Sequence, residues 1–115
     1  MTSSDTTVEV HVQPTEYTVN LLPEDGIDGH LFGITVQYRG AGRWAVVHLS
    51  SCLGADGNWD FGVKEYDRGD DWLNAHRFDE ATALRLAKEA APGVTVNGVT
   101  AAEALRRRTA ATAPA

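Results

Sequence analysis

The chain is poor in several features that would narrow its function. Cys52 is the one cysteine among 115 residues, so an intramolecular disulfide and a metal site built from thiolates alone are both excluded. The chain has ten Lys and Arg residues and sixteen Asp and Glu residues, and its net charge of −6 opposes general attraction to nucleic acid or anionic lipid. No apolar run approaches the length of a membrane span, and the polar residues 1–7 lack a signal-peptide core. These absences predict a cytoplasmic protein without a membrane partner.

What is present is typical of one folded domain. Apolar residues make up 43% of the chain and charged residues 23%, close to the averages for globular proteins. A chain of this length buries roughly two-thirds of its unfolded surface, which is enough for one core. We expect a flexible arm or edge strand over residues 1–14, a single domain over 15–108 and a disordered tail over 109–115.

Alternation of side chains predicts the strands of an antiparallel sheet. Residues 31–38 alternate between large apolar and small or polar side chains, while residues 44–50 are apolar on both sides, which is typical of a central strand. The glycines within 39–43 and the Asp-Gly pair within 54–58 favour tight turns. Further alternation predicts strands over 59–64 and 17–21, and a strand or an extended arm over 8–12.

Two segments have helical patterns. Residues 79–91 carry an apolar arc at helical spacing, follow the candidate N-cap Asp79 and precede a Pro-Gly pair. Thr100 with Glu103 three residues later is a capping-box pattern for a short helix reaching about residue 108. The predicted fold is therefore α+β: an antiparallel β-meander of three to five strands packed on one C-terminal amphipathic helix, with a short second helix.

Metal binding has a weak signal between the predicted strands. Asp56, Asn58, Asp60 and Asp67 match ligand positions of a calcium-binding loop. The sixth position is Phe61 where the loop needs glycine, and the flanks are strands where the motif needs helices. A hairpin turn is the better interpretation, and we expect no metal and no cofactor.

Cys52 and His48 are the candidates for a catalytic pair of thiol nucleophile and imidazole base. Four residues along an extended strand span about 13 Å, so the two side chains meet only if the chain turns between them. No third group that would orient the imidazole is evident in the sequence. A core thiol and a strand histidine are the simpler interpretation, and we predict that the chain is not an enzyme, with a small Cys52/His48 enzyme as the alternative.

Two charged segments keep a nucleic-acid function open as another alternative. The arginines at 106–108 are able to reach phosphates, although basic residues near a helix C-terminus also complement the helix dipole. The acidic segment 65–71 suits a mimic of nucleic acid or a basic partner, although such runs are usually solvated surface. Direct nucleic-acid binding is disfavoured by the net charge.

Aromatic side chains around the acidic segment are the best candidates for a binding surface, because large aromatic residues anchor protein interfaces. The same side chains also suit the outer layer of a core. We predict a non-catalytic accessory module that binds a protein partner through Trp59, Tyr66, Asp67, Asp70, Asp71 and Trp72. A homodimer through an edge strand is compatible with so small a sheet, and nothing in the sequence specifies it.

Three stretches have a family resemblance: GRWAVV at 42–47, CLGADGNW at 52–59 and HRFDEATALRLA at 76–87. They are similar to small hypothetical proteins of actinobacteria and their phages, in which a sheet segment with a Trp-containing turn precedes an ATALRLAKEAAP helix and a VTVNG segment. The resemblance covers about residues 15–105. It implies an accessory protein of a GC-rich bacterium or phage, and it brings no activity, catalytic residue or cofactor.

Overall fold

A computed structural model describes residues 9–22, 29–61 and 68–112. Within these ranges the chain forms an α+β fold with a five-stranded antiparallel meander, as predicted, and a separate two-stranded hairpin. The strands are β1 (Glu16–Val19), β2 (Ile34–Tyr38), β3 (Trp44–His48), β4 (Ser51–Leu53), β5 (Trp59–Phe61), β6 (Thr95–Val96) and β7 (Val99–Thr100). The helices are α1 (Asp70–His76), α2 (Glu80–Ala90) and α3 (Ala101–Thr112).

Strands β1 to β5 pair in chain order, each antiparallel to the next, and form what we call the main sheet. Partners in neighbouring strands point to the same side, so the register divides the sheet into two faces. The apolar face carries Ile34, Val36, Trp44, Val46, Leu53 and Trp59. The polar face carries Thr35, Gln37, Ala45, Cys52 and Asp60.

Helix α2 covers the apolar face, as its apolar arc predicts. Ala83 and Ala87 are fully buried and belong to the same cluster as Ile34 and Val46. The helix begins after Asp79, whose side chain accepts the backbone N–H of Thr82 at 2.7 Å, so the predicted N-cap is confirmed. The small side chains of the alanines let the helix axis approach the sheet closely, and the core lies between these two layers.

The strand predicted over 31–38 begins later than expected. Residues Gly29–Phe32 form a 3-10 turn, and β2 starts only at Ile34. The N–H of Gly33 donates to the carbonyl of His30 at 3.1 Å, which closes the turn. Phe32 lies in this turn and its side chain is buried in the core. Its apolar character therefore fits the alternation expected of a strand, although no strand is present at this residue.

The strand predicted over 44–50 is two strands. β3 is central, as predicted, but it ends at His48, and β4 returns antiparallel from Ser51. Leu49 adopts a φ of 54° in the intervening turn, a conformation that glycine or asparagine usually signals and leucine does not. The strand predicted over 59–64 is described as far as Phe61, and residues 62–64 lie outside the described ranges.

The segment before β1 is not an edge strand of the main sheet. Residues 9–15 have no regular secondary structure, so of the two alternatives for 8–12, a strand or an extended arm, the described residues 9–12 form no strand. The carbonyl of Thr15 accepts the N–H of Tyr38 at 2.8 Å, which is where the segment joins the sheet. Residues 1–8 of the predicted arm lie outside the described residues.

The sequence pattern does not predict helix α1, whose first residues belong to the acidic segment 65–71. It has seven residues, too few for an apolar period to appear in the sequence. The N–H of Leu73 donates to the carbonyl of Gly69 at 3.0 Å at the start of the helix. After α1, Phe78 exchanges two backbone hydrogen bonds with Trp44, at 2.7 and 2.9 Å, and so attaches the connection to β3.

The C-terminal part follows its turn and cap signals. β6 and β7 are joined by Asn97 and Gly98, whose φ values of 51° and 79° suit a tight hairpin turn. The hydroxyl of Thr100 accepts the N–H of Glu103 at 3.1 Å, which confirms the predicted cap of α3. α3 continues to Thr112, so the prediction of a disordered tail is wrong for 109–112, where alanines favour helix; 113–115 lie outside the described residues.

Candidate functional site

Among the residues predicted to form one binding surface, the two described tryptophans, Trp59 and Trp72, lie against opposite faces of the main sheet. Trp59 lies on the apolar face of β5, while its neighbour Asp60 points to the polar face and pairs with α1, the helix that carries Trp72. The two tryptophans therefore flank β5 from opposite sides. Tyr66 and Asp67 lie outside the described residues.

Trp59 is half-buried and packs mainly as a core residue. Its ring lies edge-on to His48, with the two ring centroids 6.0 Å apart, and it contacts the core cluster from the end of the sheet. Together with Leu53 and Leu86 it lines a shallow groove of about 330 Å³ beside the C-terminal end of α2. Its role as a partner-binding residue stays a prediction.

The Trp72 ring packs against one imidazole and two guanidinium groups. The ring stacks on the imidazole of His76 with centroids 4.0 Å apart and an interplanar angle of 7°. The guanidinium carbons of Arg68 and Arg77 lie 4.8 and 5.4 Å from the centre of the Trp72 ring, within the range of cation–π attraction. Among the described residues the buried indole Nε1–H of Trp72 finds no acceptor. The side chain is fixed in orientation and half-buried, with one polar group unsatisfied.

His76 connects α1 to β5. Its Nδ1–H donates to the carbonyl of Trp72 at 2.7 Å, and its Nε2 pairs with the carboxylate of Asp60. The N–H of Ala55 donates to the carbonyl of Ala75 at 2.8 Å, adding a backbone bond at the same junction. The imidazole is buried and the Asp60 carboxylate half-exposed, so the pair is a structural link that holds β5 against the C-terminal end of α1.

The catalytic pair considered for Cys52 and His48 is not assembled. The chain does turn between them, at residues 49–50, which was the condition for their approach. The pairings His48–Ser51 and Val47–Cys52, however, place the thiol and the imidazole on opposite faces of the main sheet.

The described surroundings of the Cys52 thiol are a guanidinium group and an imidazole whose nitrogens are both in use. The thiol is buried beside the guanidinium of Arg77, whose pKa is lowered by burial and by the nearby charge of Arg39. The nearest histidine on this side, His76, uses both ring nitrogens in other contacts. The arrangement supports packing and charge placement and offers no activated nucleophile among the described residues.

The calcium-like spacing belongs to a turn. The carboxylate of Asp56 accepts the backbone N–H of Asn58 at 3.0 Å and its side-chain amide at 3.1 Å, and these bonds lower the pKa of Asp56. Asp60, the third residue of the pattern, pairs with His76 on the polar face. The described ranges contain no group of three or more acidic, histidine or cysteine side chains placed to hold a metal ion.

The arginines of α3 are partly neutralised within their own helix. Arg106 and Arg107 both pair with Glu103, the latter at 3.2 Å. This is the ordinary arrangement of charges three and four residues apart on a helix. A groove of about 530 Å³ lies beside them, between the 3-10 turn, the hairpin and α3, and is lined by Leu22, Leu31, Phe32, Val96, Val99 and Ala104 among others.

Asp70 and Asp71 are exposed in the first turn of α1. Negative charge in this position complements the helix dipole, which accounts for both residues without a ligand. Their predicted part in partner binding is compatible with this exposure, and nothing else in the described structure distinguishes them.

The most exposed aromatic residue of the described structure is one that the sequence interpretation left out of the site. Phe61 ends β5 with 76% of its surface exposed, and Leu49, in the turn before β4, is 65% exposed. Phe61 shares the apolar face with Trp59, as its alternation predicts, but α2 packs mainly on β1, β2 and β3, and the Phe61 ring at the end of β5 is exposed. The alternation in the sequence predicts the face on which Phe61 lies. Only the position of α2 in the structure shows that the Phe61 ring is exposed.

Comparison of the chain with protein-family models, with curated proteins and with solved structures finds no match. The resemblance to actinobacterial and phage proteins therefore stays a prediction. None of the described helices has the length and apolar character needed to cross a bilayer.

Proposed function

We propose that this chain is a non-catalytic protein-binding module whose partner binds at the β5 edge, meaning the outer side of β5 with Phe61. The exposed Leu49 lies in the turn before β4, at the same end of the sheet. One observation supports the proposal most directly: the Phe61 ring is largely exposed at the end of an edge strand. Large exposed aromatic side chains are typical of interaction surfaces.

The backbone at this edge suits the addition of a strand. No described strand pairs with the outer side of β5, so its backbone donors and acceptors on that side are available to a further chain. An added strand places alternate side chains on the apolar face beside Phe61, where aromatic and β-branched side chains pack well. The partner is therefore an extended segment with apolar residues at alternate positions.

The contacts behind the edge support binding without rearrangement. The Asp60–His76 pair holds β5 to α1, and Trp59 packs on the core from the other face. An edge that is already ordered loses little conformational entropy when a partner binds. Asp70 and Asp71 are exposed on α1, and their part in partner binding stays a prediction.

The proposal includes a cytoplasmic location and an origin as an accessory protein of a GC-rich bacterium or phage. A buried, unpaired Cys52 is compatible with a reducing compartment. The resemblance of the three sequence stretches is the support for the origin.

Site-specific photo-crosslinking tests the edge directly. Benzoyl-phenylalanine in place of Phe61 keeps an aromatic side chain there, and irradiation in an actinobacterial host should give one dominant crosslinked species. The matched control carries the same crosslinker in place of Lys88, which is exposed on α2 and away from β5. Equal crosslinking from both positions, or none from position 61, would contradict the proposal.

A further inference from the structure

Two separate places on the described chain expose large apolar side chains. One is the β5 edge with Phe61, together with Leu49 at the same end of the sheet. The other is the segment of residues 9–15 before β1, which we call the arm, where Val10 is 91% exposed and Val12 is 95% exposed. Exposed side chains of this kind, when they recur at alternate positions, are typical of a strand that lacks its partner.

The sequence of the arm matches the requirements of the β5 edge. Val10 and Val12 alternate with Glu9, His11 and Gln13, so an extended arm has one β-branched face and one polar face. Valine is among the residues that favour strands, and it packs well against an aromatic side chain on the neighbouring strand. Both valines would lie on the apolar face, beside the Phe61 ring.

The arm cannot reach the β5 edge of its own chain. β1 and β5 are the opposite edges of the main sheet, and five strands at about 4.8 Å spacing separate them by about 19 Å. A sixth strand outside β5 lies about 24 Å from β1 on the same spacing. Val12 is four residues before Glu16 and Val10 is six, which span at most about 14 and 22 Å of fully extended chain. If Val10 and Val12 add a strand to a β5 edge, that edge therefore belongs to another molecule.

We propose that two copies of this chain exchange arms, so that the arm of each copy adds a strand to the β5 edge of the other through Val10, Val12 and Phe61. This rests on the proposed function and names a second copy of the chain as the partner at that edge. Each molecule carries both halves of the contact, and a reciprocal exchange closes into a twofold dimer with both edges covered. A one-way exchange would instead leave one arm and one edge open at the ends and continue into chains.

The oligomeric state of the full chain, measured by sedimentation velocity over a range of concentrations, tests the exchange. The parent protein should form a discrete dimer. Val10→Lys with Val12→Lys should weaken dimerisation at least tenfold, because two charges would be placed against Phe61. His11→Lys with Gln13→Lys is the matched control, since it adds the same charges on the polar side of the same arm and should leave the dimer intact. All four positions are exposed, so these variants should retain the circular dichroism spectrum and thermal midpoint of the parent.

Mixing two defective variants separates arm exchange from pairing between the two arms. Phe61→Ser has an intact arm and a damaged edge, while the Val10→Lys, Val12→Lys variant has the reverse. Each alone should be monomeric, and an equimolar mixture should form a heterodimer through the one intact contact. A Phe61→Ser protein that dimerises like the parent would overturn the exchange.

The result also separates this inference from the proposed function. A parent chain that stays monomeric at high concentration overturns arm exchange, while a crosslink from position 61 to a different protein would leave the proposed binding edge standing. A monomeric chain without any crosslink from position 61 overturns both.

Discussion

The two faces of the main sheet are built in different ways. The apolar face buries Ile34, Val36 and Val46 completely under α2, with hydrophobic contact as its main contribution. The polar face buries Ala45 and Cys52 but depends on directed contacts around them, chiefly the Asp60–His76 pair. The comparison shows a division of roles: the first face supplies most of the stability, and the second fixes where α1 and the β5 edge lie.

The largest effect should come from the apolar face. Ile34→Ala removes a fully buried side chain at the centre of the core and should lower the free energy of unfolding by about 3 kcal/mol. Urea unfolding followed by circular dichroism measures the change. Lys88→Ala, at an exposed position of α2 outside the proposed interface, is the control and should stay within about 0.5 kcal/mol of the parent. Equal losses would contradict the assignment of the core to this face.

A smaller loss is expected on the polar face. Asp60→Ala leaves Nε2 of the buried His76 without its carboxylate, and the half-exposed position of Asp60 reduces the penalty to about 1–2 kcal/mol. A double-mutant cycle with His76→Ala should give a coupling above about 0.5 kcal/mol. Asp71→Ala, an exposed acid on α1, is the matched control. A cycle without coupling would remove the pair as the link between α1 and β5.

The smallest effect tests a helix cap outside both faces. The backbone N–H of Thr82 donates to the Asp79 carboxylate and lowers the pKa of Asp79 below its ordinary 3.8. The ionised cap therefore adds stability above the unfolded-state pKa, and this contribution is lost as the pH falls through the lower folded-state pKa. Thermal midpoints measured from pH 6 to pH 2 should fall less steeply for Asp79→Asn than for the parent. A pH profile of Asp79→Asn that runs parallel to that of the parent would contradict a cap that depends on charge. Asp71→Asn is the control for the loss of one acidic residue.

The apolar face could be predicted because its pattern is local. Strand alternation marks Ile34, Val36 and Val46, and the helical arc of 79–91 marks Ala83 and Ala87. The N-caps Asp79 and Thr100 were found for the same reason, since a capping side chain and the N–H it accepts are three residues apart. Errors occurred where a residue adopts a conformation its type does not signal, as Leu49 does between β3 and β4.

The candidate site could be predicted only in part. Trp59 and Trp72 are both close to the acidic segment in sequence, which predicts one shared surface. In the structure, Trp59 points to the apolar face of β5, while α1 carries Trp72 on the polar side of the sheet. The Asp60–His76 contact joins residues sixteen positions apart with no periodic relation, so no local pattern marks it. The exposure of Phe61 depends on where α2 ends its coverage, which is a property of packing.

The amino-acid sequence by itself determined the class of the fold, the meander order of its turns, the capped helices and the alternation that aims side chains to one face or the other. These depend on interactions between residues a few positions apart. The tertiary structure alone decided which apolar side chains are covered, which polar groups meet across the sheet, and that Val10, Val12 and the outer side of β5 pair with no other described strand. Those outcomes depend on distances between elements. The clearest case is the arm, whose extended length is shorter than the distance from β1 to the outer side of β5.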